Sequence, residues 1–435
     1  MKKLLLILLC LPMIGFGQEW NFGGTDSDYG RSVQQTADGG YIITGKARSF
    51  GNGKYDVILT KTDANGVEKW TRYLGGTRDE FGASVHQTTD GGYIIAGEKE
   101  VPLSSSGLDL GRNVLLIKTD TFGTQQWQKQ YSFADLSDDF GYSVQLTNDG
   151  GYIILGQTKD FVSWDEDVYL IKTDGNGDSL WTKTFEGVGW TCGYSVQQTT
   201  DGGFVITGHI NDDVCLIKTD GSGNVQWNKT FGGTYQDVGR SVQQTTDGGY
   251  IITGFTRSFG NGYSDVWLIK TDGNGDSLWT KTFGGLNLDF GYAVQQTNDG
   301  GYIITGSTAS FGNGGYDAWL IKTDGSGIEQ WSQTFGGTND DAGYSVQQTT
   351  NGGYIIAGET RSLGNFGGNP LGVDVYLIKT DGQGNITSTF NIPISSKRKL
   401  EKTIDILGKQ TKPQTNIPFI EIYNDGTVEK RMVIE

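Results

Sequence analysis

An all-β fold built from repeated four-stranded units follows from three features of this 435-residue chain. One short pattern, DGGY or a close variant, starts at Asp38, Asp90, Asp149, Asp201, Asp247, Asp299 and Asn351, at intervals of 52, 59, 52, 46, 52 and 52 residues. Repeats of that length stack supersecondary units that bury their apolar faces only against one another. Each unit also holds four short runs rich in β-branched and aromatic residues, bounded by Gly, Asn and Asp. None shows helical periodicity or a helix cap followed by an amphipathic run.

The sixth unit gives the elements in order. AVQQT, YIITG, DAWLIKTD and IEQWSQTF suit strands. Asn298-Asp299-Gly300-Gly301 makes a tight hairpin between the first two, since Gly tolerates the positive φ such turns require. Thr323-Asp324-Gly325-Ser326-Gly327 does the same between the third and fourth. Seven such units predict a seven-bladed β-propeller. Trp recurs at one place in the fourth strand, at Trp70, Trp127, Trp181, Trp227, Trp279 and Trp331. An indole joins a large apolar area to an N–H for a neighbouring carbonyl, which suits docking between blades. The last blade has Ser388 at that place, and its fourth strand fades. QEWNFGG, with Trp20, precedes the first blade instead. Residues 18–24 are therefore expected to supply the outer strand of the seventh blade, closing the ring and removing an open edge.

The strand order resembles that of WD-repeat propellers, which close in the same way, although the WD dipeptide is absent. LIKTDGNGDSLWTKTFEG at 170–187 resembles the tryptophan-docking repeat of quinoprotein propellers. That likeness concerns docking alone; no constellation would hold a quinone, and no cofactor is implied.

The ends differ from the repeats. MKKLLLILLCLPMIGFG reads as a secretory signal peptide over 1–17, two lysines ahead of an apolar run too short to span a membrane. No second apolar stretch reaches membrane length, so no transmembrane segment is expected. NIPISS at 391–396 reads as a linker between the propeller of 18–390 and a small β-module at 397–435. Asp405-Ile406-Leu407-Gly408-Lys409 and the final IEIYNDGTVEKRMVIE of that module resemble the C-terminal sorting domain of the type IX secretion system of the Bacteroidetes phylum. The Pro-Asn-Pro motif of longer versions is missing. The resemblance implies the type IX machinery as a partner, passage across the outer membrane, and a secreted or cell-surface location.

Charge narrows the remaining partners. The chain carries −16, and with the signal lysines and the tail set aside the repeat region carries −20. Such a body repels nucleic acid and anionic membrane surfaces, and suits cations, cationic partners or neutral glycans. After cleavage two cysteines remain, Cys192 and Cys215. They cannot form a disulfide framework; a single local disulfide and two semi-buried thiols both fit.

Two acidic positions recur near one face. Asp28, Glu80, Asp139, Asp237, Asp289 and Asp341 precede the glycine that opens the first strand, and Asp56, Asp167, Asp213, Asp265, Asp317 and Asp374 open the third. The first set makes Asp28, Asp139, Asp237, Asp289 and Asp341 candidates for Ca²⁺, which takes several oxygen ligands. The structural alternative is that each Asp binds backbone N–H groups and fixes its loop. The turns DGNGD at 174–178 and 272–276 lack the later ligands of an EF-hand and read as turns.

Long loops between the second and third strands share that face. They place Phe50, Phe161, Trp164, Phe259 and Phe311, with Arg48, Arg257 and Arg361, around a rim. Aromatic residues beside Arg suit an interface or a sugar platform, and each Phe could equally fold onto a neighbouring loop. The insertion VPLSSSGLDLGRN (101–113), the shortened loop of the fourth repeat and Trp190 break the symmetry, placing any asymmetric pocket over blades two to four. His86 replaces a Gln of the repeated VQQT and reads as a strand residue; His209, near Asp212 and Asp213, is the catalytic candidate. No nucleophile elbow, phosphate loop or metal-spaced His pair occurs. The expected role is a non-catalytic binding or interaction scaffold for a glycan or a surface protein. The alternatives are a polysaccharide lyase or hydrolase, testable at His209 and Asp212, and a structural surface-layer component.

Overall fold

The structure, a computed structural model, describes residues 19–24, 26–51, 54–102, 110–134, 137–160, 166–185, 191–363, 372–386, 400–405, 419–423 and 428–431. The chain divides into two compact units, Met1–Thr389 and Phe390–Glu435. The signal peptide and the linker lie outside the described residues. In the second unit, Leu400–Asp405, Phe419–Tyr423 and Val428–Arg431 form a three-stranded antiparallel sheet.

Every described element of the first unit is a strand, and four-stranded sheets repeat through it. In the sixth repeat the strands are Asp289–Gln296, Tyr302–Thr308, Asp317–Thr323 and Glu329–Phe335, paired in that order. The second and third repeats follow the same order and are joined by one parallel bridge, Asp138 to Arg112. The first strand starts earlier than its sequence suggests, at the acidic residue, because the chain stays paired across a bulge at Gly291/Ala293. Glycine is required on both sides there. A Cβ at Gly306 would fall 1.8 Å from Phe290 O, and one at Gly291 would fall 2.6 Å from Thr253 Oγ1 of the preceding repeat.

Burial explains why the middle strands carry no apolar–polar alternation. Tyr302–Thr308 and Asp317–Thr323 are buried at every residue, because neighbouring sheets cover both faces. The fourth strand, Glu329–Phe335, remains largely open. One apolar cluster takes Ile251, Val266 and Leu268 from the fifth repeat and Val294, Tyr302, Ile304 and Trp319 from the sixth, so the core lies between sheets. Burying such side chains supplies roughly 1.5–3 kcal/mol each.

Two polar devices and one packing contact pin the repeats. Within a repeat, the buried lysine of KTD reaches the DGG aspartate, as in Lys270–Asp247 at 2.9 Å and Lys322–Asp299 at 2.9 Å. That lysine crowds the second glycine of the turn, where a Cβ at Gly301 would meet Lys322 Nζ at 2.5 Å. Between repeats, the serine and the first glutamine of SVQQ accept backbone N–H groups from the next first strand. Val294 N–H donates to Ser241 Oγ at 3.3 Å, and Gln348 N–H to Gln295 Oε1 at 2.6 Å. Further out, each fourth-strand Trp docks on the positive-φ glycine of the next repeat, as Trp279 does on Gly327.

The same devices run from the last repeat back to the first. Glu19–Phe22 pairs antiparallel with the third strand of the seventh repeat, Glu19 opposite Ile378 and Phe22 opposite Val375. Trp20 sits on Gly66. Val33 N–H donates to Ser345 Oγ at 3.2 Å, and Gln35 N–H to Gln347 Oε1. One expectation fails here: Trp20 Nε1 is buried with no hydrogen-bond partner, so its indole is held by packing rather than by a carbonyl.

Candidate functional site

The recurrent acidic residues are anchored. Asp28 Oδ2 accepts from Gly24 N–H at 2.9 Å, and its Oδ1 from Arg48 N–H at 2.8 Å. Asp237 accepts from Gly233 N–H at 2.9 Å, from Arg257 N–H and from the Thr256 hydroxyl. Asp289 and Asp341 take the hydroxyls of Ser310 and Ser362 at 2.6 Å. Asp139 Oδ2 accepts from Phe133 N–H and the Ser137 hydroxyl, both at 2.9 Å. Asp28, Asp237, Asp289 and Asp341 tie the entry of their repeats to the loop leaving the second strand, whereas the bonds of Asp139 stay within the entry. Among the described residues, no cluster of three or more acidic, His or Cys side chains could hold a metal ion.

The second acidic set lies across the junction from the first. A Cβ at Gly336 would lie 2.6 Å from Asp317 Oδ1 and 2.4 Å from Asp341 Oδ2, and Gly23 is flanked alike by Asp374 and Asp28. Burial, reinforced by the facing carboxylate, pushes Asp317 and Asp374 up to about 6.

The predicted rim separates into two places. Phe50, Phe259 and Phe311 are half-exposed and lie against Tyr73, Trp267 and Trp319, with ring centroids 5.3 Å apart in each pair. Phe311 lines an outer cleft of about 480 Å³ with Phe283, Trp319 and Gln333. The arginines go elsewhere. Arg48 pairs with Asp26 at 3.6 Å, Arg257 donates to Ser264 Oγ at 3.3 Å, and Arg361 pairs with Asp340 at 3.5 Å. Arg361 lines a second cleft, of about 160 Å³, with Phe290, Tyr292, Tyr316, Tyr344 and Glu359. Phe161, Trp164 and Trp190 lie outside the described residues.

That second cleft belongs to a belt the sequence reading missed, made by residues on either side of the first-strand glycine together with Tyr55, which precedes a third strand. Tyr292 and Tyr344 stand 5.0 Å apart, Tyr142 and Tyr194 5.6 Å, and Tyr55 and Phe81 5.6 Å. Cations are threaded between the rings. Arg31 lies 4.2 Å over Tyr344, Arg240 4.0 Å over Tyr194, and Lys46 within 4.9 Å of Tyr29, Tyr55 and Phe81. Such contacts are worth about 0.5–2 kcal/mol each. The belt has acidic members too: burial pushes Glu98 up to about 7, against the pull of Arg112 at 3.7 Å. The available signal was the variable residue after the glycine in GRS and GYS, polar and aromatic where a core position would be aliphatic.

His209 joins this belt, its ring 5.9 Å from Tyr194. Burial and the nearby Arg240 lower its pKa, and its Nδ1 is buried without a partner. Asp212 sits at φ 69° in the hairpin that follows. His86 Nδ1 accepts from Gln34 Nε2 at 3.2 Å, and burial lowers its pKa to about 4. Cys192 and Cys215 are both free and buried; Cys192 Sγ donates to Gln157 Oε1 at 3.1 Å. They lie on Thr191–Gln198 and Asp213–Thr219, which flank Phe204–Ile210 and do not pair with each other.

No protein-family model matches the chain. A 147-residue stretch is 28% identical to the regulatory protein FlaEY of Caulobacter vibrioides, covering 30% of this chain and 15% of that protein. The chain thus spans a small part of that relative's length. Among solved structures, a protein of unknown function from Dyadobacter fermentans is similar at TM-score 0.44 and 12% identity, over 74% of this chain and 97% of that one. The WD40 domain of Neurospora crassa Pan2 is similar at TM-score 0.46 and 9% identity, over 84% and 92%. The NanB sialidase of Streptococcus pneumoniae is similar at TM-score 0.44 and 10% identity, over 83% and 70%.

Proposed function

We propose that residues 18–390 form a closed seven-bladed β-propeller that acts as a non-catalytic binding scaffold outside the cell. The signal peptide and the type IX-like tail at 397–435 would carry it there. Closure is supported by Trp20 on Gly66 and by the bonds from Val33 and Gln35 to the last repeat. The binding role rests on one observation, the belt of Tyr and Phe rings interleaved with Arg31, Lys46, Arg112 and Arg240. Aromatic faces in a concave, partly polar setting suit sugar rings, and an acidic body does not repel a neutral glycan. A surface protein is the competing occupant.

Immobilised polysaccharides, offered to the mature chain with calcium and with chelator, test this. Saturable binding that falls in Tyr292→Ala plus Tyr344→Ala supports the belt; loss instead in Phe259→Ala plus Phe311→Ala moves the platform to the outer cleft. Chelator sensitivity would bring calcium back to the anchored carboxylates. No binding in either condition rejects the glycan.

A second reading, a polysaccharide lyase or hydrolase, draws on the unpartnered His209 Nδ1. Depolymerisation of a bound polysaccharide that disappears in His209→Ala would establish it in place of the scaffold.

A further inference from the structure

Arg31 and Arg240 hold the same place in the first and fifth repeats, within the shared run GRSVQQT. Each guanidinium lies over a tyrosine of the preceding repeat, Tyr344 or Tyr194. The next neighbour should come from the residue that follows the second-strand glycine of that same repeat. For Arg31 it is Glu359, after Gly358, and the two pair at 3.7 Å. For Arg240 the matching residue is His209, after Gly208. One arginine therefore meets a carboxylate, and its counterpart meets an imidazole.

The missing acceptor leaves a mark. Arg240 Nε and His209 Nδ1 are both buried with no hydrogen-bond partner, and Arg240 has no ion pair among the described residues. Glu166, whose field reaches His209 and Tyr194, is already held by Lys159 and by Gln157, each at 2.7 Å. Asp212 stands exposed at its hairpin tip. A buried guanidinium N–H without an acceptor is costly, and the planar guanidinium fork matches a carboxylate bidentately.

We propose that a ligand carboxylate occupies the place of the missing glutamate, bound between Arg240 and His209, and that an otherwise uncharged acidic sugar, a uronate, brings it. The inference rests on the glycan-binding reading above and names the sugar class. Tyr142 and Tyr194 border the position with two ring faces. The charge of the repeat region opposes a polyanion, so the ligand carries a single uronate rather than a run of them.

Titration calorimetry of the full chain with sodium D-glucuronate, D-glucose and a glutamate-containing tripeptide tests the site. Glucuronate binds and glucose does not. Arg240→Gln weakens glucuronate roughly tenfold or more. His209→Glu supplies the carboxylate that Glu359 provides elsewhere, and abolishes glucuronate binding while the thermal midpoint holds or rises. Binding of the tripeptide alone, or an unchanged glucuronate affinity in both variants, overturns the proposal. If neutral polysaccharides bind while glucuronate does not, this site falls and the glycan reading stands; if neither binds, the glycan reading falls with it and a surface protein is left as the occupant.

Discussion

Trp20 lies so close over Gly66 that a Cβ on that glycine would come 2.6 Å from Trp20 Cζ2. The contact joins the start of the chain to the first repeat, and it copies the contact of Trp227 with Gly275 and of Trp331 with Gly384. Trp20 is also the largest of the fully buried side chains among the described residues. A segment of four paired residues thus supplies the docking indole that the sequence of the seventh repeat lacks, where Ser388 takes that place.

Trp20→Ala should therefore cost as much as an internal docking Trp. The expected loss for Trp20→Ala and Trp227→Ala alike is about 3–5 kcal/mol in urea unfolding. A cost for Trp20 under a third of that for Trp227 would refute its closing role.

The seventh repeat lacks one staple. Asn351 stands where the other repeats have Asp, and Lys379 donates instead to Ala64 O at 2.7 Å. Asn351→Asp should recover the internal pair and raise stability by up to about 1 kcal/mol, held to that size because the partner carboxylate is half in solvent. Asp299→Asn should lose a similar amount. The check is the thermal midpoint of each variant against the parent.

Acid should act on the two carboxylate classes in opposite directions. Burial opposes ionisation of Asp299, yet the bonds from Thr297 and Lys322 hold it down to about 2, so its contribution is present above pH ~4 and is lost as pH falls towards 2. Asp317 and Asp374 are pushed up to about 6, so the folded state binds their protons more tightly than the unfolded chain does. Stability from these two grows as pH falls from above 6 towards 4, and is absent above 6. A maximum between pH ~4 and ~6 is expected. Asp317→Asn should raise the midpoint at pH 7.5 and leave it unchanged at pH 4.5; a fall at pH 7.5 would remove the account from burial and the facing carboxylate.

Both thiols should be silent in the folded protein. Burial pushes Cys192 and Cys215 up to about 12, and a thiolate is the reactive form. Ellman's reagent should titrate neither thiol until denaturant is added, and then both. Reaction of one thiol under native conditions would show that its pocket opens.

The repeats, their four strands and the pairing of the segment around Trp20 with the last repeat were legible in the sequence, because each depends on local pattern: turn glycines, β-branched runs and a displaced Trp. The acidic residues were legible as recurrent, and their anchoring as one of two readings; their partners were not, since the N–H groups that Asp237 receives come from Gly233, ahead of its strand, and Arg257, beyond the next one. VQQT gave no hint of its work. Ser241 and Gln243 bond the next repeat, about fifty residues away, and only the closeness of the inner strands brings them there. The belt was hidden for the same reason. Arg31 and Tyr344 are more than three hundred positions apart in sequence yet stack at 4.2 Å. Sequence alone determined what each repeat is made of; the tertiary structure decided which side chains meet, because those meetings occur between sheets, where no local periodicity records the partner.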